Sequence, residues 1–201
     1  MMDLRYITHP RIIFSRSSVL SRPCPVPAEA GVYAWFFKDV PPGVPTEGCI
    51  SENDLHLLYV GISPDKLGKP DSRQNLRTRI SNHYRGNAEG STLRRSLGIL
   101  LQPFSGFPLR RVGSGRRMTF THIGEQWLDN WMEENAFVAW FEDDAPWVIE
   151  DALLASIGLP LNIKGNKHHP FSSDLSQMRR QAIQKARDEA IANEDNQSRR
   201  C

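Results

Sequence analysis

Cysteine is scarce in this chain. Cys24, Cys49 and Cys201 are the only three in 201 residues, and no two of them stand in a CxxC spacing. An odd count without that spacing fits a reducing compartment better than a disulfide framework. None adjoins the candidate site described below, so none is expected to be catalytic. Long apolar runs are missing as well, the longest falling far short of the ~20 residues a bilayer crossing needs. The opening MMDLRYITHP holds no apolar stretch of signal-peptide length. Hydrophobic residues at 39% and charged residues at 24% leave no room for a wholly disordered or collagen-like chain. No internal repeat is visible. These absences predict a soluble, cytoplasmic globular protein with no membrane partner.

Lysine is absent from positions 73 to 117. Ten arginines stand there against one acid, Glu89, a local charge of +9 in a chain whose formal total is +2. Like charges at this density repel unless an anion faces them, and arginine without lysine suits bidentate phosphate contacts. Nucleic acid is therefore the expected partner, held through its backbone by Arg73, Arg77, Arg85, Arg94 and Arg95. Arg94 and Arg95 follow Thr92 at an expected helix start. The plainer alternatives are a solvated basic face or one that meets a protein partner.

Proline crowds the first stretch (Pro10, Pro23, Pro25, Pro27), which predicts an irregular arm over 1–30. The β-branched and aromatic runs 31–37, 57–62 and 136–141 predict strands. The first two are joined by a long polar connection. Helical spacing appears from Leu76 to His83, after Ser91, over 124–133, from Pro146 to Leu154, and from about Ser173 along Leu175, Met178, Ala182 and Ala186. A short hairpin is expected around Gly113-Ser114-Gly115. The order predicts an α+β domain over 31–171 with a small, mainly antiparallel three-stranded sheet flanked by helices. A C-terminal helix and polar tail follow over 172–201. His168-His169 lacks the partners of a metal site and reads as a loop.

Several polar residues stand where this scaffold presents them together. Tyr33 lies on the first strand and Tyr59 on the second. Arg79 and His83 are four apart, on one helix face. Glu150 interrupts an apolar helix, and Asn162 follows Pro160. Gly31-Val32-Tyr33 and Tyr59-Val60-Gly61, then Arg79 with His83, Glu150 and Asn162 in that order, resemble the signature of the GIY-YIG nuclease family. The resemblance runs from about Gly31 to Asn162. Valine replaces isoleucine in both tripeptides, and longer intervals imply insertions at 38–55 and 63–75. Arg73 and Arg77 compete with Arg79 for the arginine position, but only Arg79 has a histidine four residues on.

The resemblance implies a metal-dependent endonuclease that hydrolyses phosphodiester bonds in nucleic acid, DNA before RNA, with Mg²⁺ or Mn²⁺ as cofactor. Such chemistry needs an activated water, a cation for the phosphate and help for the departing oxygen. It implies Glu150 as metal ligand, with Asp151 the alternative acid, since Mg²⁺ keeps several waters and needs few carboxylates. Arg79 would meet the scissile phosphate and Tyr33 would activate water. Tyr59 and His83 would orient the reactants, with His83 a competing general base, and Asn162 would brace the site. Singly, each has an ordinary explanation: strand tyrosines pack, and a first-turn glutamate suits the helix dipole. Their joint order carries the reading. The rival is a non-catalytic nucleic-acid-binding module of the same fold, which has no use for a carboxylate beside phosphate.

Overall fold

The structure, a computed structural model, describes residues 3–64 and 74–195. Two short helices, α1 (Arg5–Thr8) and α2 (Arg16–Val19), precede the central strand β1 (Gly31–Phe37). Then come β2 (Ile50–Glu52), β3 (Leu55–Ser63), α3 (Leu76–Arg85), α4 (Thr92–Leu100) and α5 (Gln102–Ser105). A hairpin of β4 (Arg110–Val112) and β5 (Arg117–Thr119) leads to α6 (Thr121–Asn135), β6 (Ala136–Glu142), α7 (Pro146–Ser156) and α8 (Pro170–Asp188). The expected α+β class with an antiparallel sheet is what the chain adopts. The main sheet has four strands rather than three, in the order β2-β3-β1-β6, with β4-β5 a separate pair.

The extra strand has a local cause. Glu52 pairs with Leu55 across Asn53 and Asp54, whose φ angles are 49° and 61°. Two consecutive left-handed residues make the tight turn whose twist suits a hairpin, and Asn and Asp tolerate that conformation. The polar connection expected after β1 therefore ends in a strand of its own.

β1 is buried at all seven positions because both faces of the sheet are covered. Tyr33, Trp35 and Phe37 pack with Leu58, Ile80, Tyr84, Leu97 and Met132 on the side of α3, α4 and α6. Val32, Ala34 and Phe36 pack with Val60, Ile149 and Leu153 on the side of α7. A strand covered on both faces reads as a continuous apolar run rather than an alternation. Residues before Gly31 contribute the buried side chains Ile7, Val19 and Val26. Phe14 also forms a β-bridge with Val138, with N···O distances of 2.8 and 2.9 Å.

Helix starts follow side-chain chemistry. Asn75 caps α3 by accepting from the Thr78 amide at 2.9 Å, and Ser91 caps α4 by accepting from the Arg94 amide at 3.1 Å. α8 begins at Pro170, earlier than expected, with the His169 ring accepting from the Phe171 amide. Among the described residues no helix is long and apolar enough to cross a membrane.

Candidate nuclease site

The two tripeptides meet across the sheet. Tyr33 pairs with Gly61 between β1 and β3. A Cβ built on Gly61 would come within 2.5 Å of the Tyr33 hydroxyl, so glycine leaves the space the phenol ring occupies. Gly31 has the same function against another neighbour: its Cβ would run into the Phe141 carbonyl of β6. The glycines of both motifs thus permit close approach, one to a side chain and one to a backbone.

The Tyr33 ring lies over α3, where the four-residue spacing brings Arg79 and His83 to it. Arg79 Nε donates to the Tyr33 oxygen at 3.3 Å, and Tyr33 Oη lies 2.9 Å from His83 Nε2. Arg79 can only donate to the phenol oxygen, and the Tyr33 hydroxyl also has the Tyr59 hydroxyl as a hydrogen-bond partner. On the other side of the ring, Nδ1 is hydrogen-bonded to Ser91 Oγ at 2.8 Å. Ser91 therefore caps α4 and fixes the histidine at once. Around the imidazole stand the rings of Tyr33, Trp35 and Tyr59, at centroid distances of 5.4, 5.7 and 6.2 Å.

Burial sets the protonation states. It pushes the Tyr33 phenol well above its ordinary value, the Tyr59 hydroxyl adding to the shift and Arg79 opposing it. The same burial, then the Arg79 and Arg94 cations, holds His83 well below 6.5. Tyr59, half-buried, is raised by burial and lowered by the Thr92 hydroxyl and Arg79. At neutral pH the phenols stay protonated and the imidazole stays uncharged.

Tyr33, Tyr59, Arg79, Glu150 and Asn162 line one cleft of about 740 Å³. His83 stands behind Tyr33, fully buried. Glu150 reaches the cleft from α7, half-buried, with Asp151 beside it. Asn162 clamps the edge of β3: its Oδ1 accepts from the Val60 amide at 2.9 Å and its Nδ2 donates to the Val60 carbonyl at 2.8 Å. Among the described residues no group of three or more His, Cys, Asp or Glu could hold a metal ion. That donor set does not suit zinc, which takes three or four protein ligands. It does suit Mg²⁺, which combines one or two carboxylates with water and substrate oxygens.

The expected phosphate contacts divide. Arg77 and Arg85 are exposed, Arg77 also donating to the Val26 carbonyl at 2.7 Å. Arg95 is half-buried and paired with Glu89 at 3.2 Å. Arg73 lies outside the described residues, as does Cys201. Arg94 must be corrected. It has no exposed surface and forms ion pairs at 2.8 Å with both Glu125 and Asp129. A buried guanidinium with two carboxylates cannot reach a substrate phosphate. Arg110 and Arg111 are also engaged internally, at Glu189 (2.9 Å) and at the Ala186 and Glu189 carbonyls.

The cleft contains residues that no motif had marked: Trp147, Lys164 and, from α8, Arg179. Trp147 reads from sequence as a packing residue. Arg179 left a faint signal, since it lies at helical spacing from buried Leu175.

The family model described as GIY-YIG catalytic domain matches residues 31–181. No curated protein and no solved structure matches the chain at a significant level.

Proposed function

The chain belongs to the GIY-YIG family, and on that premise we propose that it is a divalent-cation-dependent endonuclease hydrolysing phosphodiester bonds in nucleic acid, DNA before RNA. The observation that carries this reading is the hydroxyl of Tyr33, held between Arg79 and His83 in the cleft that Glu150 lines. A phosphodiester is attacked by water, which must lose a proton as its oxygen bonds to phosphorus. Tyr33 takes that proton on its oxygen while its own hydrogen passes to His83 Nε2. Neither a phenolate nor an imidazolium is stable beforehand, so the transfer accompanies the attack. Arg79 offsets the negative charge that grows on the phenol oxygen and on the phosphate. In this reading His83 carries its hydrogen on Nδ1, toward Ser91 Oγ, and leaves Nε2 to accept. Glu150 is the residue that would hold the divalent ion, with Asp151 next to it. When bound, the ion supplies positive charge for the phosphate and the departing oxygen.

Glu150→Gln preserves size and hydrogen bonding but removes the charge a hard cation needs. Expected is a loss of plasmid cleavage of at least ~10²-fold, with gel-shift affinity unchanged or tighter. A folded Glu150→Gln protein that cuts at the wild-type rate overturns the assignment. A wild-type protein that binds but cuts neither plasmid, branched DNA nor RNA in Mg²⁺ is the non-catalytic module instead.

A further inference from the structure

Arg179 is a cation for which this mechanism has no task. It reaches the cleft from α8, half-buried, on the same wall as Tyr59. It makes no hydrogen bond or ion pair with another described residue. The groups that act on it are the Arg95 guanidinium and the Tyr59 hydroxyl. Burial, and then repulsion by Arg95, holds it below the ordinary arginine range. Arg95 is occupied, donating to the Ala88 carbonyl at 2.9 Å and pairing with Glu89. A half-buried guanidinium beside a second guanidinium, with no carboxylate of its own, destabilises the protein. A long side chain on a helix surface can escape that penalty by extending into water. This one faces the cleft.

Tyr59 shares the cleft with two arginines. Arg79 reaches it from α3, where it touches Tyr33, and Arg179 from α8, which packs on the helix α4 that carries Arg95. A polynucleotide carries one phosphate per nucleotide, so a strand lying along the cleft presents phosphates in succession. We propose that Arg179 is a substrate-binding residue that grips a second backbone phosphate, next along the strand from the one held at Arg79. The inference rests on the nuclease reading above. A guanidinium binds the two free oxygens of a phosphate side by side, which also explains arginine rather than lysine at this position.

Binding of a short labelled DNA duplex, and of an RNA duplex of the same sequence, is measured in EDTA across a salt series. The full chain carries Glu150→Gln to prevent cleavage. Adding Arg179→Gln is expected to weaken binding about tenfold and to lower the slope of log K against log salt by about one. Arg179→Lys restores the slope but only part of the affinity. In the catalytically competent chain, Arg179→Gln raises KM and leaves kcat nearly unchanged. Its Tm does not fall, because the side chain it removes makes no hydrogen bond or ion pair among the described residues. Unchanged affinity and slope overturn the inference, as does a lowered Tm without a binding change. A fall in kcat at constant KM places Arg179 on the scissile phosphate and overturns the second-phosphate assignment. If the chain with Arg179 intact binds neither duplex, the nuclease reading fails and the inference with it.

Discussion

His83 is a histidine kept uncharged by its surroundings, and this has a measurable cost in acid. Its pKa in the folded chain lies well below the unfolded value, through burial first and then Arg79 and Arg94. Below pH ~6.5 the unfolded chain therefore binds a proton that the folded chain refuses, so stability falls as pH drops. Above pH ~7.5 both states are neutral and this group contributes no pH dependence. The share due to His83 approaches ~1.4 kcal/mol per pH unit and disappears in His83→Gln. Urea unfolding of both proteins over pH ~5–8 measures it, and parallel curves would exclude the buried neutral imidazole. The residues of this site differ in how far sequence exposes them. Tyr33, Tyr59, Arg79, Glu150 and Asn162 stand in an ordered pattern, and the structure lines them along one cleft. Ser91 was readable as a helix cap, but its second bond to His83 depends on how α4 meets α3. Arg179 belongs to no motif; only its place at i+4 from Leu175, on a stripe continued by Ala182 and Ala186, hinted at an inward position.

Arg94 shows what the elements require of one another. It sits in the first turn of α4, where the helix dipole disfavours a cation. That conflict with local preference is the sequence signal that the side chain is needed elsewhere. Its Nη1 donates to Asp129 at 2.8 Å and to the Tyr84 and His83 carbonyls at 3.0 and 3.3 Å, while Nη2 binds Glu125. Glu125 in turn accepts from the Ala88 amide at 2.8 Å, and Asp129 faces Arg16 of α2 at 3.5 Å. One guanidinium thus ties α4 to α6 and holds the end of α3 that carries His83. Arg94→Ala takes the guanidinium from buried Glu125 and leaves Asp129 facing Arg16 at 3.5 Å, at a cost of about 3–5 kcal/mol. Expected is a Tm lower by on the order of 10 °C, with cleavage reduced as α3 loosens. A Tm within ~2 °C of wild type contradicts the network's role. A scan for charged segments counts this arginine with its neighbours, because burial is decided by partners that lie far away in sequence. The strand β2 escaped for the opposite reason: its cause is local, but Asn53-Asp54 is a weaker hairpin signal than Asn-Gly.

For the whole molecule, the +9 of the arginine segment is not one open surface. Arg94 is consumed inside, and Arg110 and Arg111 hold the carbonyls and Glu189 at the end of α8. Of the segment's described arginines Arg79 lines the cleft, which Arg179 joins from outside the segment. The sheet has a different economy. Its β2 strand covers only part of β3, and beyond Ile50 the outer hydrogen-bonding groups of β3 meet no strand among the described residues. The Leu161 amide takes the Leu58 carbonyl at 3.1 Å, and Asn162 supplies both donor and acceptor to Val60. The asparagine amide therefore imitates one residue of a missing strand. An uncovered strand edge is a template onto which another chain can add. Asn162→Ala strips that cover from an apolar strand containing Leu57, Leu58, Val60 and Ile62. The expected outcome is a concentration-dependent rise in light scattering on mild warming, with thioflavin-positive material, at temperatures where the wild type stays clear. Equal scattering from both proteins would leave Asn162 with a role at the cleft alone. Asn162, proposed to steady the site, would thereby also guard against self-polymerisation, and its loss is expected to show in the test tube as precipitate as well as in uncut substrate.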